Sequence, residues 1–238
     1  MSKPFIFKQF SVSQNNCAMK IGTDGVLLGA WASPKDADSI FDIGTGTGII
    51  ALQMAQRSFA ETIDALEIDA DAFEEAVSNF ENSDWGDRLF CYHASLQKFV
   101  AEMDGKYDFI ISNPPFYNST FKENQISKKR ALARHSESLP YAVLLKSTSI
   151  LLSKNGECAF IIPFEEEELF LNLASENNLF PNRITRVKGT EKSPIKRSLL
   201  QLSFQKSKPI LGELIIEISR HVYTEEYRDL VSSFYLKI

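Results

Sequence analysis

The stretch Asp42-Ile43-Gly44-Thr45-Gly46-Thr47-Gly48 limits the possible folds more than any other part of the chain. An apolar run, 39–43, precedes it. Residues at helical spacing follow it: Ile49, Ile50, Leu52, Met54 and Ala55. A glycine turn between strand and helix lets the chain reverse tightly and lets a ligand approach the backbone. The amino terminus of the following helix offers free N–H groups and a partial positive charge. Glu67 closes the next apolar run, 62–68, where a carboxylate can accept hydrogen bonds from ribose hydroxyls. The pattern implies a nucleoside ligand in the crevice at the carboxyl ends of parallel strands.

The rest of the centre keeps the same alternation. Residues 69–80 have helical spacing, with Phe73, Ala76, Val77 and Phe80 on one face. Strands are expected at 89–92, 107–112 and 158–162, the second stopped by Pro114-Pro115 and the third by Pro163. A helix is expected over 139–153, ended by Asn155-Gly156, and another over 165–177. Two further strands, 184–188 and 199–204, flank a polar turn and form an antiparallel hairpin. The fold class is α/β: a seven-stranded, mostly parallel sheet with an antiparallel C-terminal hairpin and helices on both faces. No linker separates two domains. We expect one domain over 1–238, with an N-terminal cap segment (1–35), a core (36–206) and a strand-and-helix extension (207–238).

With 238 residues, 44% of them apolar, the chain can bury a large core. Its net charge of −5 lacks a global basic signature for nucleic acid, although a local patch would suffice. Cys17, Cys91 and Cys158 are scattered and fit no disulfide framework, so reduced thiols in a cytoplasmic protein are expected. His93, His135 and His221 lack ligand spacing, and no metal site is expected. Neither a signal peptide nor a membrane span is expected, and a monomer is the simplest assembly.

The choice of cofactor turns on two residues. A dinucleotide fingerprint places a small residue where Ile49 stands. Asp42, just before the glycines, would oppose a pyrophosphate but favour the ammonium and sulfonium of S-adenosylmethionine. Ser112-Asn113-Pro114-Pro115-Phe116 then follows the fourth strand, facing the methyl group of such a ligand. An amino group conjugated to a ring is a poor nucleophile because its lone pair is delocalised. Two acceptors aimed at its N–H bonds, the Asn113 side-chain oxygen and the Pro114 carbonyl, can free that lone pair. Pro114 and Pro115 hold the backbone beforehand, and Phe116 can stack on the planar target.

The chain at this point resembles the class I methyltransferases of the N6-adenine and N5-glutamine type, which have a Rossmann-like fold. It resembles most the bacterial branch acting on adenine 37 of tRNA1(Val). Three stretches carry the resemblance. The first is Phe7-Lys8-Gln9-Phe10 with residues 17–31; the second is the glycine loop with Asn113–Phe116; the third is the tail, residues 223–228 through Phe234-Tyr235-Leu236. The resemblance implies that Asp42, Gly44, Thr45, Gly46, Gly48, Glu67, Ile68 and Asn113 hold the cofactor. It places Thr23 and Asp24 near the methionine end and Ala94 or Ser95 near the adenine. Taken alone, Thr23-Asp24-Gly25 also reads as a helix N-cap. Many relatives have an Asp after the third strand, where this chain has His93-Ala94-Ser95; the Ser95 hydroxyl or a backbone amide is left for the adenine.

Two basic islands suit phosphates: Lys122, Lys128, Lys129, Arg130 and Arg134, and a second over 183–197 that includes Arg183, Arg186, Lys188, Lys192, Lys196 and Arg197. Of the second, Lys196 and Arg197 are the RNA candidates. Glu165–Glu168 reads as a solvated first helical turn. The partner implied is a tRNA, through an adenine in its anticodon loop. A protein glutamine, or an amino group on another RNA or DNA base, would use the same Asn-Pro-Pro corner. A nicotinamide oxidoreductase is opposed by Ile49 and Asp42.

Overall fold

The structure is a computed structural model. It describes residues 3–15, 17, 20–115 and 139–238. Five parallel strands build the part of the sheet that carries the glycine loop: β3 (Ser39–Ile43), β4 (Thr62–Glu67), β5 (Leu89–His93), β6 (Tyr107–Ser112) and β7 (Leu152–Pro163). The runs 39–43 and 107–112 coincide with β3 and β6. Their side chains are buried on both faces, as central parallel strands require.

The hairpin of β8 (Phe180–Thr190) and β9 (Ile195–Ser203) joins antiparallel to β7 through β9. Seven strands are thus present as expected, and the sheet continues further. β10 (Ile210–Ser219) pairs parallel with β8, and β11 (Val222–Tyr223) closes the edge. The order is β11-β10-β8-β9-β7-β6-β3-β4-β5, nine strands in all. A separate two-stranded ribbon, β1 (Phe5–Ile6) with β2 (Ser11–Val12), is tied to the C-terminal tail by a bridge between Phe7 and Tyr235. The Lys8 N–H donates to the Phe234 carbonyl at 2.8 Å beside it.

The helices are α1 (Thr23–Trp31), α2 (Ile49–Arg57), α3 (Ala70–Glu81), α4 (Leu96–Glu102), α5 (Tyr141–Leu151), α6 (Glu167–Glu176) and α7 (Glu225–Val231). Two apolar clusters sandwich the sheet, one with α1–α3, the other with α4–α6. Among the described residues no helix is long and apolar enough to cross a membrane.

One expectation fails at β7. Asn155-Gly156 does not end a helix. The helix stops at Leu151, and the strand starts at once, with an irregularity in its pairing to β6 between Tyr107 and Phe109. Gly156 sits at that irregularity because a Cβ there would lie 2.9 Å from the Asp108 carbonyl oxygen.

Candidate active site

The glycine loop crosses the carboxyl ends of β3 and β4. Gly44, Gly46 and Gly48 all have positive φ (72°, 57° and 81°). Gly48 is doubly required, since a Cβ would lie 2.5 Å from the Phe80 ring. The Leu66 carbonyl accepts from the N–H groups of Gly44 and Thr45, at 2.9 and 3.0 Å. Glu67 finishes the clamp: Oε2 accepts from Gly46 N–H at 2.8 Å, and Oε1 from Ile68 and Asp69 N–H at 2.8 and 2.9 Å. The carboxylate that the sequence assigns to a ribose thus also holds the loop in shape.

Asp42 is fully buried beneath this loop. The Thr45 hydroxyl donates to Oδ2 at 2.6 Å, and Oδ1 has no hydrogen-bond partner among the described residues. Burial pushes the Asp42 carboxyl up to about 7. The Thr45 hydroxyl and the Ala51 backbone oppose the rise, and the Glu67 charge adds to it.

At the end of β6, the Ser112 hydroxyl donates to the Ile43 carbonyl at 2.7 Å, which pins the Asn-Pro-Pro corner to the glycine-loop strand. Asn113 follows. Its Oδ1 is buried and unpartnered among the described residues. Its amide faces α1, with Nδ2 4.0 Å from where a Gly25 Cβ would stand. Pro114 is buried and Pro115 exposed. Phe116 and the first basic island (Lys122, Lys128, Lys129, Arg130, Arg134) lie outside the described residues.

Thr23 is the first residue of α1, not its cap. Gly22 occupies the cap position with no side-chain hydrogen bond. Asp24 Oδ2 accepts from Arg197 Nε at 2.9 Å. The pair joins a residue assigned to the cofactor with one assigned to RNA. Ile68 is 54% exposed, an apolar surface beside Glu67 that suits a planar base. Ala94 N–H donates to the Glu67 carbonyl at 3.1 Å. The Ser95 hydroxyl caps α4 by accepting from Lys98 N–H at 3.3 Å, which competes with the adenine contact left to it above.

Most of the second basic island is drawn into the fold. Arg183 donates to the Trp31 carbonyl and to Gln201, and its guanidinium lies 3.8 Å over the Trp31 ring. Arg186 pairs with Glu167 at 2.7 Å, and Lys188 with Glu213 at 2.8 Å. Glu167 is therefore not part of a solvated acidic turn. It is 7% exposed, also accepts from the Ser198 hydroxyl, and is held below the usual carboxylate range by Arg186 and Ser198 despite its burial.

The sequence reading missed Glu75 and Asn79. Both are buried, one turn apart on α3. Glu75 accepts from Asn15 and Cys17 N–H. Asn79 accepts from Ser13 N–H and donates to the carbonyls of Ser13 and Thr47. The N-terminal segment is thereby strapped beside the glycine loop. Polar side chains four apart in line with Ala72 and Ala76 are the signal that could have revealed them.

The family model of the methyltransferase small domain matches residues 19–139. A tRNA1(Val) (adenine(37)-N6)-methyltransferase of Christiangramia forsetii is 60% identical over 240 residues, covering 100% of this chain and 99% of the relative. One of Flavobacterium johnsoniae is 56% identical, covering 98% and 100%. The chain belongs to this methyltransferase family. Among solved structures, a predicted O-methyltransferase of Agrobacterium tumefaciens superposes with a TM-score of 0.67 at 18% identity, covering 89% of this chain and 96% of that one. That likeness concerns the fold. In this family member, the ends of β3, β4 and β6 bring the glycine loop, Glu67 and Asn113 to the same edge of the sheet.

Proposed function

We propose that the protein transfers the methyl group of S-adenosylmethionine to the N6 amino group of an adenine in RNA, adenine 37 in the anticodon loop of tRNA1(Val). The observation that carries this reading is the Asn113 Oδ1 atom, buried and without a partner among the described residues, just after β6. A buried acceptor left unpaired costs about 1–3 kcal/mol, and a substrate amino group would relieve that cost. Curated relatives at 55–60% identity carry the name of this activity.

The residues fit the cofactor. A second orphan acceptor, Asp42 Oδ1, stands ready for a cationic amino acid moiety. Glu67 retains acceptor capacity on Oε2 for a ribose hydroxyl, and Ile68 with Ala94 offers the adenine an apolar and backbone surface. When bound, the sulfonium supplies an activated methyl group, and its sulfur would leave as a neutral thioether. The Asn113 side chain and the Pro114 carbonyl orient the amino nitrogen and localise its lone pair. The methylated nitrogen would release one proton to water. No general base is required, so proximity and fixed charge supply the catalysis. The 1–35 segment serves as a cap and 207–238 as an extension of one methyltransferase unit, working in the cytoplasm.

Asn113→Ala should keep binding of S-adenosylhomocysteine by calorimetry and lower kcat by about 100-fold or more. Undiminished turnover would remove Asn113 from the mechanism. Nucleoside mass spectrometry of tRNA from a strain lacking the protein should show N6-methyladenosine missing at one position. Intact RNA methylation alongside a lost glutamine methylation would transfer the activity to a polypeptide.

A further inference from the structure

Phe5 of the N-terminal ribbon, Thr23 of α1, Gly189 of β8 and the C-terminal extension border an open cavity of about 440 Å³. Its walls are aromatic. Tyr223 and Tyr227 lie with ring centroids 5.4 Å apart at 38°, and Phe5 and Tyr235 at 6.1 Å, edge to face. Tyr227 is 3% exposed and packs against Tyr223, so this wall is fixed in place. One acid, Glu217, lines the cavity. Its Oε1 accepts from His221 N–H at 3.3 Å, and its Oε2 has no partner among the described residues. Lys237 stands at the exposed rim.

Thr23 connects this cavity to the chemistry. It lines the cavity and begins α1, whose Gly25 lies against Asn113 two residues later. A ligand here would touch the first turn of α1, which also contacts Asn113.

We propose that the cavity is a subsite for one unstacked nucleobase of the RNA, the neighbour of the target adenine. The proposal rests on the RNA-methylation reading above. When an adenine is turned out of a loop, the adjoining base loses its stacking partner. An aromatic wall restores stacking. The size falls within the roughly 300–1,000 Å³ of small-ligand sites and suits one nucleotide rather than a helix. Glu217 can accept from an exocyclic amino group, so cytosine or adenine fits better than uracil. Lys237 supplies the cation for that nucleotide's phosphate.

The test uses the full chain, S-adenosylmethionine and a synthetic hairpin bearing the anticodon loop. Each nucleotide flanking the target adenine is made abasic in turn. With the wild-type protein, one of the two hairpins should show a KM about tenfold higher with kcat retained. Tyr223→Ala should give a similar rise on the intact hairpin and little further rise on that abasic one, while Tyr223→Phe behaves as wild type. Glu217→Gln should narrow the preference for an amino-bearing neighbour. S-adenosylhomocysteine binding should be unchanged in all three variants. If the wild type methylates the hairpin but ignores both abasic neighbours, this proposal falls alone. If it methylates no RNA, the parent reading falls and takes this one with it. Should Tyr223→Ala fail to fold, the abasic series with the wild-type protein decides.

Discussion

Asp42 is held in an environment that disfavours its charge. In the unfolded chain it titrates as an ordinary carboxyl; in the fold burial lifts it to about 7. The folded state therefore binds a proton that the unfolded state has already released between about pH 4 and 7. The stability it contributes is fully present below about pH 4 and is lost as pH rises through about 7. Asp42→Asn should flatten that slope, so thermal unfolding midpoints of wild type and variant should diverge between pH 5 and 8, with the wild type falling. A cationic ligand against Oδ1 has the opposite effect and draws the proton off. Calorimetry of S-adenosylmethionine near pH 7 should register proton release in buffers of differing ionisation heat, and none in Asp42→Asn. The sequence showed the acid and its reason for standing before the glycines. It could not show that Oδ1 has no hydrogen-bond partner among the described residues, because that depends on where α1, β6 and the loop meet.

Helices and strands were legible where a single face or a doubly buried run determined them. The strands at 39–43 and 107–112 are such cases. The start of β7 was not, since Asn155-Gly156 has the composition of a stop signal; only the close approach of the Asp108 carbonyl explains why glycine stands inside the strand. The acidic run 165–168 misled for a related reason. Its charge pattern suits a solvated turn, but Glu167 answers Arg186 and Ser198 from β8 and β9, remote in sequence. At the join of loop and helix, Gly48→Ala combines a left-handed backbone with an overlap on Phe80. We expect a loss of ~2–4 kcal/mol in a urea unfolding titration, with cofactor binding abolished at temperatures where the variant still folds. A change below 0.5 kcal/mol would mean that Phe80 yields freely.

At the scale of the molecule, the acidic total charge conceals a division of labour. The basic residues of 183–197 largely serve internal pairs; the first island lies outside the described residues, and we propose it as a source of phosphate contacts. Reversing Lys128, Lys129 and Arg130 should weaken RNA binding and make its dependence on log salt shallower by about 2. An unaltered slope in filter-binding titrations would place the phosphate contacts elsewhere. The resemblance in residues 7–10 and 223–236 singled out the two ends of the chain, but the bridge from Phe7 to Tyr235 that joins them is a property of the fold alone. That bridge has a thermodynamic consequence. The ribbon and the tail share one buried cluster with α1–α3 through Phe7, Phe10, Val12, Tyr227, Val231 and Phe234, and Asn79 ties Ser13 to Thr47 of the glycine loop, so the two sites open together. In rising urea, hairpin affinity and S-adenosylhomocysteine affinity should vanish at the same concentration, and a protein that still held its donor after losing the RNA would show that the two ends of the chain detach alone.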